Sequence, residues 1–223
     1  VNDRTNPTDT PGYPRDVQLG LVEGTDRPVG PVLQSVITGS NAELLRAVAP
    51  LYLTGSVLDV TYGRGKWWDL YKPDPFAWHD LALDGVDCRA LPELDASWDT
   101  VAFDPPYVES GNATRSDYGD FFDRFGIGCG RRLGSIERLI AAGVAEACRV
   151  ARRFVLVKCM EYVAGARFHD GPTAATVAAL DAGWVKHDQI VHYSGGGPGG
   201  SHRTFTVLRA ARAHSYLLVF SRG

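Results

Sequence analysis

From Ser56 onward the chain alternates between two hydrophobic rhythms. Short apolar runs bounded by polar or turn-forming residues read as buried strands, and one long stretch repeats its apolar positions at helical spacing. The strands predicted in this way are Ser56–Val60, Phe76–His79, Val86–Cys88, Thr100–Phe103 at the end of the apolar run Trp98–Phe103, Phe154–Lys158, Trp184–Tyr193 and Ser215–Ser221. The clearest helix is Ser135–Val150, whose Ile136, Leu139, Ile140, Val144 and Ala147 recur at near-helical spacing. Shorter helices are expected at Asn41–Pro50, capped by Ser40 or Asn41, at Gly65–Tyr71, and at Pro172–Ala182, with proline in its first turn and Gly183 beyond its end. Strand–helix alternation predicts an α/β architecture with a mostly parallel sheet covered on both faces. The last two strands lack a full helix between them, so an antiparallel pair at one edge is expected. Residues 1–31 carry five prolines and little periodicity, which predicts a tail or strap, with residues 32–223 forming a single domain.

Composition narrows the class. At 223 residues, 44% hydrophobic and 22% charged, the chain fits one large domain with a good core. No apolar run approaches the ~20 residues that cross a bilayer, and no signal-peptide pattern opens the chain. Cys88, Cys129, Cys148 and Cys159 are scattered, and the six histidines lack ligand spacing, so reduced thiols in a cytoplasmic protein without a metal are expected. A net charge of −3 argues against a dedicated nucleic-acid-binding module, which is usually strongly basic, but not against an enzyme with a local basic face.

The most informative string is Asp104-Pro105-Pro106-Tyr107, at the end of the predicted strand Thr100–Phe103. Two prolines donate no backbone hydrogen bonds and fix φ, so the segment is a stiff extended lip. An acid before it and an aromatic ring after it suit a planar amine, the acid and carbonyls accepting N–H and the ring stacking on the plane. A stiff turn would account for the prolines but not for their neighbours. A second string, Asp59-Val60-Thr61-Tyr62-Gly63-Arg64-Gly65, runs from a strand into a glycine turn, the place where open α/β sheets bind ligands. Trp68 stands where a dinucleotide fingerprint needs its third glycine, which demotes a pyrophosphate site. Asp80 follows Asp59 by 21 positions at the next predicted strand tip, where an acid meets ribose hydroxyls. Asp87, in Gly85-Val86-Asp87-Cys88-Arg89-Ala90-Leu91-Pro92, is expected at the tip after that, placed to accept from an adenine amino group. Three acids at successive tips beside a glycine turn make a pocket for an adenosine without phosphates.

Together these strings resemble the S-adenosylmethionine-dependent amino-methyltransferases, particularly the adenine-N6 and cytosine-N4 DNA methyltransferases. The family's catalytic motif, Asp/Asn/Ser-Pro-Pro-aromatic, matches Asp104 to Tyr107, and its cofactor motif, Asp-x-Phe-x-Gly-x-Gly, matches Asp59 to Gly65 with Thr61 in the phenylalanine position and Tyr62 beside it. The string Asp59 to Trp68 and the late His214–Phe220 are similar to small DNA methylases of actinobacterial phages and prophages. The resemblance covers about Ser56 to Phe220. It implies a Rossmann-like methyltransferase fold with a seven-stranded, mostly parallel sheet, an antiparallel edge strand and helices on both faces. It further implies S-adenosylmethionine held by Asp59, Val60, Thr61, Tyr62, Gly63, Gly65, Asp80, Asp87 and Cys88, and catalysis by Asp104, Pro105, Pro106 and Tyr107. Tyr107 would stack on a base flipped out of duplex DNA.

Residues 108–134 interleave Arg115, Tyr118, Phe121, Phe122, Arg124, Phe125, Arg131 and Arg132, which suits a target-recognition insertion as well as it suits phenylalanines folded on the core. The glycine-rich stretch from Ser194 to Arg203 is a second candidate for backbone contact. Lys158 and Glu161 near the cleft read as a structural ion pair, and Trp67 and Trp68 as core or cofactor-cover residues. Aspartate in the first motif position favours adenine N6. Cytosine N4, RNA guanine, a protein amide and a non-catalytic scaffold subunit stay open as alternatives, and the small size points to low specificity or a homodimer.

Overall fold

A computed structural model describes residues 20–21, 28–29, 32–106, 135–164, 167–195 and 212–223. The chain divides into two units, Val1–Leu33 and Gln34–Gly223. In the first, β1 (Gly20–Leu21) and β2 (Pro28–Val29) form a two-stranded antiparallel pair. In the second, the elements in chain order are β3 (Val36–Thr38), α1 (Asn41–Tyr52), β4 (Val57–Asp59), a 3-10 turn (Lys66–Trp68), β5 (Phe76–Trp78), β6 (Trp98–Phe103), α2 (Ser135–Val150), β7 (Ala151–Cys159), β8 (Glu161–Ala164), β9 (Arg167–Asp170), α3 (Gly171–Asp181), β10 (Trp184–Tyr193) and β11 (Ser215–Arg222).

Seven of the strands make one sheet in the order β3-β10-β11-β7-β6-β4-β5. Only β11 runs against its neighbours; it is antiparallel to both β10 and β7, and all other pairings are parallel. The expected antiparallel pairing of the last two strands is present toward one side of the sheet. It lies two strands in from the margin, because β10 and the short β3 pair outside β11. β3 carries only three residues in a proline-flanked stretch and has no periodicity of its own. A separate hairpin, β8–β9, also arises where the sequence shows no alternation.

Two predicted elements change. The Val86–Cys88 strand does not form. Local turns take its place: the Val86 N–H donates to the Asp84 carboxylate (3.1 Å) and, just beyond the segment, the Arg89 N–H to that of Asp87 (2.9 Å). The helix expected over Gly65–Tyr71 shrinks to one 3-10 turn, because Gly65 starts it in the left-handed region (φ 68°) and Pro73 forces Lys72 toward extended backbone. Conversely, α1 continues past Pro50 to Tyr52, whose hydroxyl donates to Asp188 (2.7 Å) and whose carbonyl accepts from Thr100 (2.7 Å). Its start is set by Ser40, in a capping box with Glu43.

Strand alternation assigns the two faces. Leu58, Val101, Phe103, Val155, Val157, Leu218 and Phe220 bury against α2 and α3. α1 lies on the other face, where Tyr52 meets the Phe154 ring edge-on at 5.4 Å. The loop between β5 and β6 has no strand and is held by charges. His79 bonds Asp84 and Glu93 (both 2.6 Å), and Arg149 of α2 bonds the carbonyls of Leu91 (3.0 Å) and Glu93 (2.7 Å) and the Asp95 carboxylate (2.8 Å).

Gly143 in α2 sets how closely that helix approaches β6: a Cβ there would lie 2.5 Å from Cζ of the fully buried Phe103. Gly143→Ala, although favourable for helix propensity, is therefore expected to cost about 1–3 kcal/mol of stability, read as a lower urea midpoint.

Candidate active site

The register brings the carboxyl ends of four parallel strands side by side. Asp59 pairs with Trp78 on one side and Ala102 on the other, and Phe103 pairs with Val157. One step further along each strand lie His79-Asp80, Asp104 and Lys158.

Asp59 ends β4 and is 3% exposed. Its carboxylate accepts the Thr61 backbone N–H (2.8 Å) and the Trp68 indole N–H (2.7 Å), which bends the chain back over the strand end. Burial pushes its pKa up to about 7 against these two bonds, and the neighbouring Asp104 and Asp80 add to the rise. Asp80, 4% exposed, accepts Gly63 N–H (2.9 Å) and Ala82 N–H (3.0 Å). Gly63 takes φ 57° and Gly65 φ 68°, so the turn between the acids uses backbone that side chains other than glycine rarely adopt. A Cβ on Gly65 would also lie 2.5 Å from the Tyr62 hydroxyl.

A small cleft, with about 20 Å³ of enclosed space and open to solvent beyond it, is lined by Val60, Thr61, Asp80, Leu81, Asp87, Cys88, Pro106 and Leu139. Six of these are predicted site residues from four separate stretches of sequence, and the fold brings them together. Its walls are apolar or acidic. Asp87 forms an ion pair with Arg89 (2.5 Å), which holds its carboxyl below the usual range, and burial pushes the Cys88 thiol up to about 12, so that side chain stays neutral. Leu81 and Leu139 were not predicted; Leu81 directly follows Asp80, but Leu139 reads in the sequence only as the core face of α2.

Asp104 stands on the strand next to the glycine turn. Its backbone N–H donates to the Thr61 hydroxyl (2.7 Å), so Thr61 joins the two motifs. Burial pushes the Asp104 carboxyl up to about 6, opposed by the charge of Lys158 and by the indole N–H of Trp67, which faces it without closing a full hydrogen bond. Lys158 is buried at 5% exposure. Nothing in the linear order connects it with Asp104, because only strand order makes β6 and β7 neighbours. Pro105 and Pro106 follow as extended chain, with Pro106 on the cleft wall. Tyr62 turns elsewhere: it stacks on Trp78 (4.8 Å, 18° between planes) and does not line the cleft. Asp87 sits in a loop rather than at a strand tip. Tyr107, the stretch 108–134 and most of the glycine-rich stretch after Ser194 lie outside the described residues.

No protein-family model and no curated protein matches this chain. Solved structures do. A Thermus thermophilus protein assigned as a DNA modification methylase, in its complex with S-adenosyl-L-methionine, is 18% identical with a TM-score of 0.32 over 61% of this chain and 51% of its own. The chain thus spans about half the length of that protein. The 1,6-didemethyltoxoflavin-N1-methyltransferase of Burkholderia thailandensis, with S-adenosylhomocysteine, is 10% identical with a TM-score of 0.39 over 82% of this chain and 76% of its own. A complex of a Haloferax volcanii methyltransferase with its Trm112 activator gives 13% identity and a TM-score of 0.38 over 86% and 83%. The fold assignment rests on the strand order: a seven-stranded, mostly parallel sheet with one reversed strand and helices on both faces is a Rossmann-like methyltransferase fold. No described helix is long and apolar enough to cross a membrane.

Asp59 supplies a stability test. Its folded pKa lies above the usual carboxylate range, so the folded chain holds a proton that the unfolded chain releases. The stabilisation is complete below about pH 4 and is lost as pH rises through 7. Asp59→Asn is expected to flatten the decline in unfolding free energy between pH 4 and 7 by up to about 1 kcal/mol per pH unit, measured by urea titration at fixed ionic strength.

Proposed function

We propose that this chain transfers a methyl group from S-adenosylmethionine to an exocyclic amino group of a base in duplex DNA, with adenine N6 as the acceptor. The observation that carries this reading is the contact between the two motifs: Pro106 walls the acid-lined cleft, and the Asp104 N–H is bonded to the Thr61 hydroxyl beside it.

The cleft suits a nucleoside without phosphates. Val60, Leu81 and Leu139 offer apolar surface to a planar base, and Asp80 and Asp87 offer acceptors to hydroxyl or amino groups. Among the described residues no lysine or arginine lines it, which disfavours a phosphate. Asp80 takes one backbone N–H on each oxygen, and each oxygen retains acceptor capacity for a ribose hydroxyl. When bound, S-adenosylmethionine would supply an electrophilic methyl group on sulfur.

The remaining chemistry belongs to the chain's own residues. An exocyclic amine is a poor nucleophile because its lone pair is delocalised into the ring. The Asp104 carboxylate and the Pro105 carbonyl accept its two N–H groups, which favours a tetrahedral nitrogen as positive charge develops there. Stiff extended chain at Pro105 and Pro106 holds these acceptors in place without reorganisation. With its pKa near 6, Asp104 is mostly ionised at pH 7 yet basic enough to take up the proton lost after transfer. The base is flipped out of the duplex to reach the lip, at a cost of a few kcal/mol.

Incubation with tritiated-methyl S-adenosylmethionine and unmethylated duplex DNA, followed by nucleoside analysis, is expected to yield N6-methyladenine. Label in RNA or protein alone, or in no acceptor, would overturn the reading. Asp104→Ala should reduce the single-turnover rate by at least 100-fold, on the scale of losing a transition-state acceptor, with S-adenosylhomocysteine affinity by calorimetry within about threefold of wild type. Because the acceptor form of Asp104 is the carboxylate, the wild-type rate should fall about tenfold per pH unit below pH 6 and level off above it.

A further inference from the structure

Pro105 and Pro106 have no backbone N–H, so Asp104 provides the sole backbone donor of the lip's Asp-Pro-Pro segment. That donor does not enter the ladder with β7. It turns to the side chain of Thr61 at 2.7 Å, in the glycine turn of the neighbouring strand. Thr61 is in turn fixed from below, its own N–H donating to buried Asp59 (2.8 Å), and its side chain lines the cleft. Thr61 thus joins three things: it lines the cleft, its N–H is anchored on Asp59, and its hydroxyl holds the one backbone donor of the Asp-Pro-Pro segment. The aromatic neighbour Tyr62 does not share this position, because its ring is stacked on Trp78.

We infer that Thr61 is a coupling residue: a nucleoside ligand in the cleft sets the position of Asp104 through the Thr61 hydroxyl, so that cofactor and amine substrate bind cooperatively. This rests on the functional reading above and adds to it the path by which the two sites communicate. Occupancy of the cleft restricts the Thr61 side chain. A restricted hydroxyl is a better-placed acceptor for the Asp104 N–H, and the lip is then held where its carboxylate and carbonyl meet an amine. Coupling of this kind is reciprocal, so an amine at the lip tightens the cleft ligand by the same factor. Thr61 is a positioning residue here; it acts through Asp104.

The Asp104 amide is the reporter, followed by amide hydrogen exchange and 15N chemical shift in the full chain, with S-adenosylhomocysteine as the probe. In the wild type and in Thr61→Ser, which keeps the hydroxyl, saturating probe is expected to slow exchange of this amide at least tenfold and to shift its resonance. In Thr61→Val and Thr61→Ala the amide should exchange at least tenfold faster than in the wild type and should not respond to the probe at whatever concentration calorimetry shows to saturate each variant. Wild-type protection of the Asp104 amide in both hydroxyl-free variants, or a full response to the probe there, overturns the coupling. A wild type that binds the probe while its Asp104 amide does not respond overturns the coupling alone. A wild type that does not bind the probe overturns the functional reading and the coupling with it.

Discussion

A carboxylate withdrawn from water must be matched by fixed donors, and at Asp59 that requirement shapes the whole carboxyl end of the sheet. One oxygen takes the N–H of Thr61 and the other the indole N–H of Trp68, so a single buried group closes the glycine turn from both ends. Asp80, on the far side of the turn, takes Gly63 in the same manner. Two acids thus fix the loop that walls the cleft, through its backbone N–H groups and the Trp68 indole. The glycines between them are needed because the chain must pass through left-handed backbone to present those N–H groups.

The acids carry two different duties. Asp59 is committed to the loop and is kept close to neutrality by its burial and its acidic neighbours. Asp80 and Asp87 face the cleft, Asp80 with backbone N–H groups on its oxygens and Asp87 paired with Arg89. Asp104 stands between these roles, poised near the middle of the physiological range because the positive charge of Lys158 offsets part of the cost of burial.

Much of this was legible in the chain. Apolar runs and helical periodicity placed α2 and β10 with their observed bounds, and the two motifs marked the strand ends that meet at the cleft. What the sequence hid has physical causes. Val86–Cys88 has the composition of a strand, but Asp84 and Asp87 draw the N–H groups of Val86 and, just beyond the segment, Arg89 into local turns. Lys158 looked like half of a local ion pair with Glu161, because nothing in a linear reading says that β7 lies next to β6. Tyr62 had the right chemistry for a methionine contact, but Trp78 on the adjacent strand offers a stacking partner that takes its ring away. Thr61 seemed a departure from the family pattern, and its hydroxyl is the atom that ties the two motifs together.

The segment that replaces the missing strand has a further consequence. Between β5 and β6 the wall carrying Asp87 and Cys88 is fastened by His79 with Asp84 and Glu93, and by Arg149 with Leu91, Glu93 and Asp95. Hydrogen-bonded ladders are nearly indifferent to dissolved ions, whereas partly solvated charge pairs weaken as ions screen them. The two sides of the cleft are therefore held by different forces: the strand-end side by the sheet, and the opposite side in part by charge pairs, which ionic strength screens.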